Sequence, residues 1–139
     1  MKIASIDIGL KRIGIALSDG NIVMPQNPII RKNRNQASKD LKEFLTNWHI
    51  EKLIVGIPID GSSTEEMKRR IEHFISLLDL SIPVIYQDEQ NSSQEAKERS
   101  AGVFKHSRDG KIDSLAAVII LERYLNSEQL AISNETTNY

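Results

Sequence analysis

Three apolar segments fall within the first 24 residues, and each is too short for a helix. Ile3 to Ile8 reads as a buried strand ended by Gly9. Ile13-Gly14-Ile15-Ala16-Leu17 follows the tight connection Gly9-Leu10-Lys11-Arg12, and Asp19-Gly20 is a hairpin signal leading into Ile22-Val23-Met24. That spacing predicts three successive antiparallel strands. Pro25 and Pro28 are expected to stop the third, and Arg31 to Gln36 reads as a polar, basic loop.

After this meander the pattern alternates. Leu41, Phe44, Leu45 and Trp48 stand at i, i+3, i+4 and i+7, one face of a helix, with Trp48 expected in the core. Lys52 to Ile57 has the continuous apolar character of a strand covered on both faces. Pro58 to Ser63 reads as a turn, and Ser63 with Glu66 forms a capping box for a helix burying Met67, Ile71, Phe74, Ile75 and Leu78. Pro83 to Gln87 is the next strand. Ser92 with Glu95 is a second capping box, opening a short helix that Gly102 ends. Phe104 to Gly110 is a polar loop, and Ile112 to Leu125 is the most apolar helix. The order βββ-α-β-α-β-α-α predicts an α/β domain over residues 1–125, a mixed five-stranded sheet with helices on both faces. Residues 126–139 are expected to be a polar, disordered tail.

Composition narrows the chemistry. The 139 residues include no cysteine, which excludes disulfide scaffolds, cysteine-ligated metal centres and cysteine nucleophiles. No apolar stretch reaches the roughly 20 residues needed to cross a bilayer. The first apolar run contains an acid and lacks a basic lead, so a cytoplasmic protein is expected. The net charge of -1 argues against a non-specific nucleic-acid coat. It also hides an asymmetry: residues 1–42 hold eight Lys or Arg against three Asp.

Asp7 is the most informative residue. A lone carboxylate within an apolar strand is costly to bury unless it is paired or metal-bound. Followed by Gly9 and Gly14, it stands at a strand end beside a turn where backbone can approach a phosphate; it can equally cap that turn as an Asx residue. Asp88-Glu89 ends another strand, at the usual ligand edge of an α/β sheet, although acids there also suit the dipole of the next helix. Asp113 opens the last helix, again a place where an acid satisfies backbone donors. Two strand ends and one helix start can converge on one edge. Hard divalent cations take oxygen ligands and share them with phosphates, and a pair of such ions stabilises both oxygens of phosphodiester cleavage. Lys105, Arg108 and Lys111 precede Asp113 and can touch phosphates if that loop folds over the site. His106 in the same loop, His49 and His73 read as solvated or boundary residues, and Lys68-Arg69-Arg70 as a solvated helix face.

Asp7-Ile8-Gly9-Leu10-Lys11-Arg12-Ile13-Gly14-Ile15-Ala16-Leu17-Ser18-Asp19 closely resembles the opening signature of the YqgF family, described both as Holliday-junction resolvases and as pre-16S rRNA nucleases. Ile54-Val55-Gly56-Ile57-Pro58 with Asp60-Gly61, then Asp88-Glu89, then Lys111 to Leu121 resemble that family in the same order, so the likeness spans residues 1–125. The resemblance implies an RNase H-like fold and a metal-dependent endonuclease. Asp7, Glu89 and Asp113 match its acidic triad, implied to hold Mg2+ or Mn2+, and Lys11 and Arg12 match its basic pair, implied to contact nucleic acid. Where the family has arginine, a hydrophobic residue and two threonines, this chain has Gln90, Asn91, Ser92 and Ser93. The implied substrate is an rRNA precursor, ahead of branched DNA, for a monomer or homodimer that touches no membrane. One alternative is a catalytically weak nucleic-acid-binding protein using the same edge and the basic loops around Arg31 and Lys105. The acid–glycine hairpin also resembles the phosphate loop of sugar kinase and actin-type ATPases, which need two such lobes where 139 residues supply one.

Overall fold

The computed structural model describes residues 1–20, 22–58, 64–90, 92–100 and 114–137, without the side chains of 93, 100 and 130–137. Along the chain run β1 (Lys2–Ile8), β2 (Arg12–Asp19), β3 (Ile22–Ile30), α1 (Arg34–Asn47), β4 (Lys52–Ile57), α2 (Thr64–Leu78), β5 (Val84–Asp88), α3 (Ser92–Ser100) and α4 (Leu115–Thr137). The sheet order is β3-β2-β1-β4-β5, antiparallel across the first three and parallel from β1 through β4 to β5. This is the mixed, five-stranded α/β sheet that the sequence predicts.

The twofold alternation of β1 divides the core between the two faces. Ala4 and Ile6 join Leu41 and Leu45 of α1 and Ile71 and Phe74 of α2. Ile3 turns the other way, onto Ala117, Ile120 and Leu121 of α4. Ser5 shares that second face, and its hydroxyl donates to the Ala117 carbonyl at 2.6 Å. α3 seats Ala96 against Leu115, Ala116 and Ile119, and Arg99–Glu122 at 2.7 Å ties it to α4.

Several sequence expectations need correction. β3 runs through Pro25 and Pro28 to Ile30, because it is the edge strand and needs ladder hydrogen bonds on one side only. Its register slips between Ile13 and Ile15, a bulge in which Asn27 and Pro28 face Gly14. The basic loop shrinks to Arg31–Asn33: Asn33 caps α1, accepting from the Gln36 N–H while the Gln36 side chain reaches back to the Asn33 N–H. Trp48 is 47% exposed, because α1 ends at Asn47 and Ile50 takes the core position beyond it. The helix stops in a Schellman motif with His49 in the left-handed region at φ 54°, a place glycine usually marks. α4 continues to Thr137 where a disordered tail is expected: no glycine or proline interrupts residues 111–139, and Glu128, Gln129, Leu130 and Ala131 favour helix. Ser63 and Gly102, expected to cap α2 and end α3, lie outside the described residues.

The start of α4 is locked into the sheet. The buried Ser114 hydroxyl accepts from the Ile15 N–H at 3.0 Å and donates to the Gln26 carbonyl at 2.6 Å, bridging two register partners beside the bulge. Ser114→Ala leaves both backbone groups without this partner and is expected to cost about 1–3 kcal/mol. Urea unfolding checks this; an unchanged midpoint would contradict it.

Candidate active site

Asp7 is the penultimate residue of β1, on the same face as Ser5 and Ile3, with Gly14 of β2 as its register partner. Glu89 follows β5, and its N–H donates to the Ile57 carbonyl at 2.9 Å, extending the β4–β5 pairing by one residue. β1 and β5 both flank β4, so the two acids meet across its C-terminal end. Gly56 of β4 makes the room. A Cβ built there would collide with Ile120 Cδ1 and approach Glu89 Oε2 to 3.0 Å.

The two carboxyls are hydrogen-bonded to each other, and both hold their protons unusually tightly. Burial raises Asp7, only partly opposed by the bond from Glu89. Glu89 is pushed up to about 7, first by burial, then by the nearby Asp7 charge, their hydrogen bond and the charge of Asp88. Two acids this close share a proton at neutral pH unless a cation neutralises them. The donor set is all oxygen, which fits a hard divalent cation.

The backbone behind each acid is braced. Asp88 Oδ1 accepts from the Gln90 N–H at 2.9 Å, so this neighbouring acid closes a turn. Arg123 of α4 donates through Nη1 to the carbonyls of Asp88 at 3.2 Å and Gln90 at 2.8 Å. A guanidinium thus stands by this segment, where the acid pair is followed by the uncharged Gln90. It bonds main-chain carbonyls and leaves the Glu89 carboxylate to Asp7. On the other side the Gly9 N–H donates to the Arg12 carbonyl at 2.9 Å, and Arg31 Nη1 donates to the Gly9 carbonyl at 2.6 Å. A Cβ at Gly9 would lie 2.8 Å from the Arg12 oxygen, so the turn needs glycine.

Asp7 and Glu89 are therefore brought together, and Lys11 and Arg12 lie exposed on the adjoining β1–β2 turn. Asp113, Lys105, Arg108, Lys111 and His106 lie outside the described residues. Among the described residues no cluster of three carboxylates or imidazoles forms. The sequence reading places Arg31 in a basic loop that can bind nucleic acid, but does not mark Arg123 as a site residue. For Arg123 a signal existed, since Glu122-Arg123 interrupts the apolar run of α4 with charge.

Residues 1–127 match the family described as "RuvX: Holliday junction resolvase". A protein of Sulfurovum sp. named "Putative pre-16S rRNA nuclease" is 67% identical over 127 residues, covering 91% of this chain and 99% of its own. A protein of the same name from Sulfurimonas denitrificans is 48% identical, covering 92% and 99%. Among solved structures, the fowlpox virus Holliday junction resolvase superposes with a TM-score of 0.58 at 18% identity, covering 91% of this chain and 99% of that one. T. thermophilus RuvC bound to a Holliday junction substrate gives 0.56 at 12% identity, covering 91% and 96%. These structural likenesses establish the RNase H-like fold. With its five-stranded sheet, its opening Asp7-Ile8-Gly9 signature and relatives matched over nearly their full length, the chain belongs to the RuvX (YqgF) family of nucleases.

Proposed function

We propose that this chain is a divalent-metal-dependent endonuclease of the cytoplasm, hydrolysing phosphodiester bonds in structured nucleic acid. The 16S rRNA precursor stands ahead of branched DNA as substrate, because the relatives at 67% and 48% identity carry the pre-16S rRNA name. The observation that carries the reading is the carboxylate pair. Two separate strand ends deliver Asp7 and Glu89 to one spot where burial opposes ionising either and the Asp7 charge further opposes ionising Glu89.

Asp7, Glu89 and Asp113 would hold Mg2+ or Mn2+. Asp113 directly precedes Ser114, whose hydroxyl is bonded to Ile15, the residue after Asp7's register partner Gly14. A bound divalent cation supplies charge neutralisation at the scissile phosphate and a water acidified towards neutral pH. The protein's part is to hold the acids in place, which the Arg123 and Arg31 bonds to neighbouring carbonyls serve. Lys11, Arg12, Lys105, Arg108 and Lys111 would meet the flanking phosphates. The enzyme would act as a monomer or homodimer.

Labelled 16S precursor and a four-way DNA junction, each incubated with Mg2+, Mn2+ or EDTA, test the reading. Metal-dependent cutting, faster on the RNA, is the expected result. Faster cutting of the junction would reverse the substrate order. Binding without any product from folded enzyme would instead leave a nucleic-acid-binding protein.

A further inference from the structure

Across the sheet from the carboxylates, between the β1–β2 turn, the start of α1 and the first turns of α2, lies an open groove of about 880 Å3. Its lining is of two kinds. Arg31, Arg34, Arg69 and Arg70 carry four positive charges, against one carboxylate, Glu66. Glu66 pairs with Arg70 at 2.7 Å, but both side chains are about 70% exposed, so the pair neutralises little. The apolar part of the lining comes from Ile8, Leu10 and Met67, with Ile71 and Phe74 almost wholly buried behind them.

Met67 belongs to the apolar stripe of α2 yet is 47% exposed, and Leu10 at the mouth is 87% exposed. Apolar surface beneath a cationic rim does not suit a duplex backbone, which presents only phosphates and sugars there. It suits a nucleic acid whose bases are unstacked, since each nucleotide offers an anion and a flat apolar face together. Phe74 is only 3% exposed, its ring covered by the Arg31 guanidinium 5.3 Å from the centroid, so the flat face on this side of the groove is the guanidinium. The same Arg31 holds the Gly9 carbonyl, two residues from Asp7. The groove and the carboxylates are thus the two sides of a single strand end, with only the Gly9–Leu10 turn between them.

We propose that this groove binds a single-stranded segment of the substrate where it leaves the carboxylate edge, with phosphates on Arg34, Arg69 and Arg70 and a base against Met67 and the Arg31 guanidinium. This rests on the nuclease reading and adds a required substrate feature: an unpaired strand beside the cleaved bond. Arg69 and Arg70, which read in sequence as part of a solvated helix face, acquire a ligand.

The test is fluorescence anisotropy of a labelled single-stranded oligoribonucleotide and of a blunt duplex of equal length. The proteins are wild type, Arg34→Glu/Arg69→Glu, Arg34→Lys/Arg69→Lys and Met67→Glu, each checked for an unchanged circular dichroism spectrum. The charge-reversed pair should weaken binding of the single strand by about tenfold or more, and its salt slope should fall by about 1.4, the release expected for two phosphate contacts on a single strand. The lysine pair should keep the slope, and Met67→Glu should weaken the single strand more than the duplex. Unchanged affinity and slope in the charge-reversed pair would overturn the groove while leaving the nuclease reading intact. Equal losses for single strand and duplex would overturn the single-strand assignment. A wild type that binds and cuts no nucleic acid would overturn the nuclease reading, and the groove with it.

Discussion

Asp7→Asn is expected to abolish metal-dependent cleavage and to leave the fold intact. Asparagine keeps the shape of aspartate, and its amide can donate to the Glu89 carboxylate that Asp7 now meets. The substitution also removes a carboxyl whose ionisation burial opposes, so thermal stability at neutral pH should hold or rise. The rate should fall by more than about 100-fold, since even losing an outer-shell partner of a metal ligand costs 10- to 100-fold. Product formation under single-turnover conditions, beside a thermal melt, measures both. A variant that melts normally and still cuts would remove Asp7 from the chemistry.

The second large effect is on stability against pH. Glu89 titrates near 7 in the folded protein against an ordinary value of 4.5, and Asp7 is raised in the same direction. Between about 4.5 and 7 the folded state therefore binds more protons than the unfolded chain. Stability conferred by that extra proton is fully present below the ordinary carboxylate range and is lost as pH rises through 7. Metal-free protein in EDTA should accordingly have its highest Tm on the acid side and lose stability between pH 5 and 8. Saturating Mg2+ should flatten or reverse the slope, because the cation binds the deprotonated acids and competes with the proton. Glu89→Gln should remove most of the slope. A metal-free Tm that rises from pH 5 to 8 would contradict the shared-proton description. Cleavage should show the corresponding trend, increasing as pH passes about 7, where the proton ceases to compete.

Strong periodicity made the architecture legible in the sequence, and its failures are local. The short apolar runs of β1 and β4 and the stripe of α2 place their elements correctly because burial on fixed faces demands those periods. Pro25 and Pro28 mislead because proline's missing N–H matters only where a partner strand lies on that side, and edge position is a property of the assembled sheet. Trp48 misleads because a helix end signalled by His49 instead of glycine leaves no mark in the pattern. Within the candidate site, Asp7 stands out because nothing in its own strand can neutralise it. Glu89 is different: sequence pattern alone does not separate it from Asp88. The separation comes from three dimensions, where Asp88 turns to the Gln90 N–H and Glu89 turns to Asp7. Arg69 and Arg70 look like ordinary solvated charges until the β1–β2 turn and α1 are set beside them.

In the proposed function Asp7, Glu89 and Asp113 together would hold one divalent-metal centre at the edge of the sheet. Calorimetric titration of Mn2+ into wild type, Asp7→Asn, Asp113→Asn and Asp88→Asn tests it most directly. Asp88 is the control, since its Oδ1 is engaged by the Gln90 N–H and asparagine offers the same acceptor. Wild type and Asp88→Asn should bind alike, with Asp7→Asn and Asp113→Asn each weakened at least about tenfold. Undiminished binding by Asp113→Asn, or a loss in Asp88→Asn as large as that in Asp7→Asn, would contradict the claim.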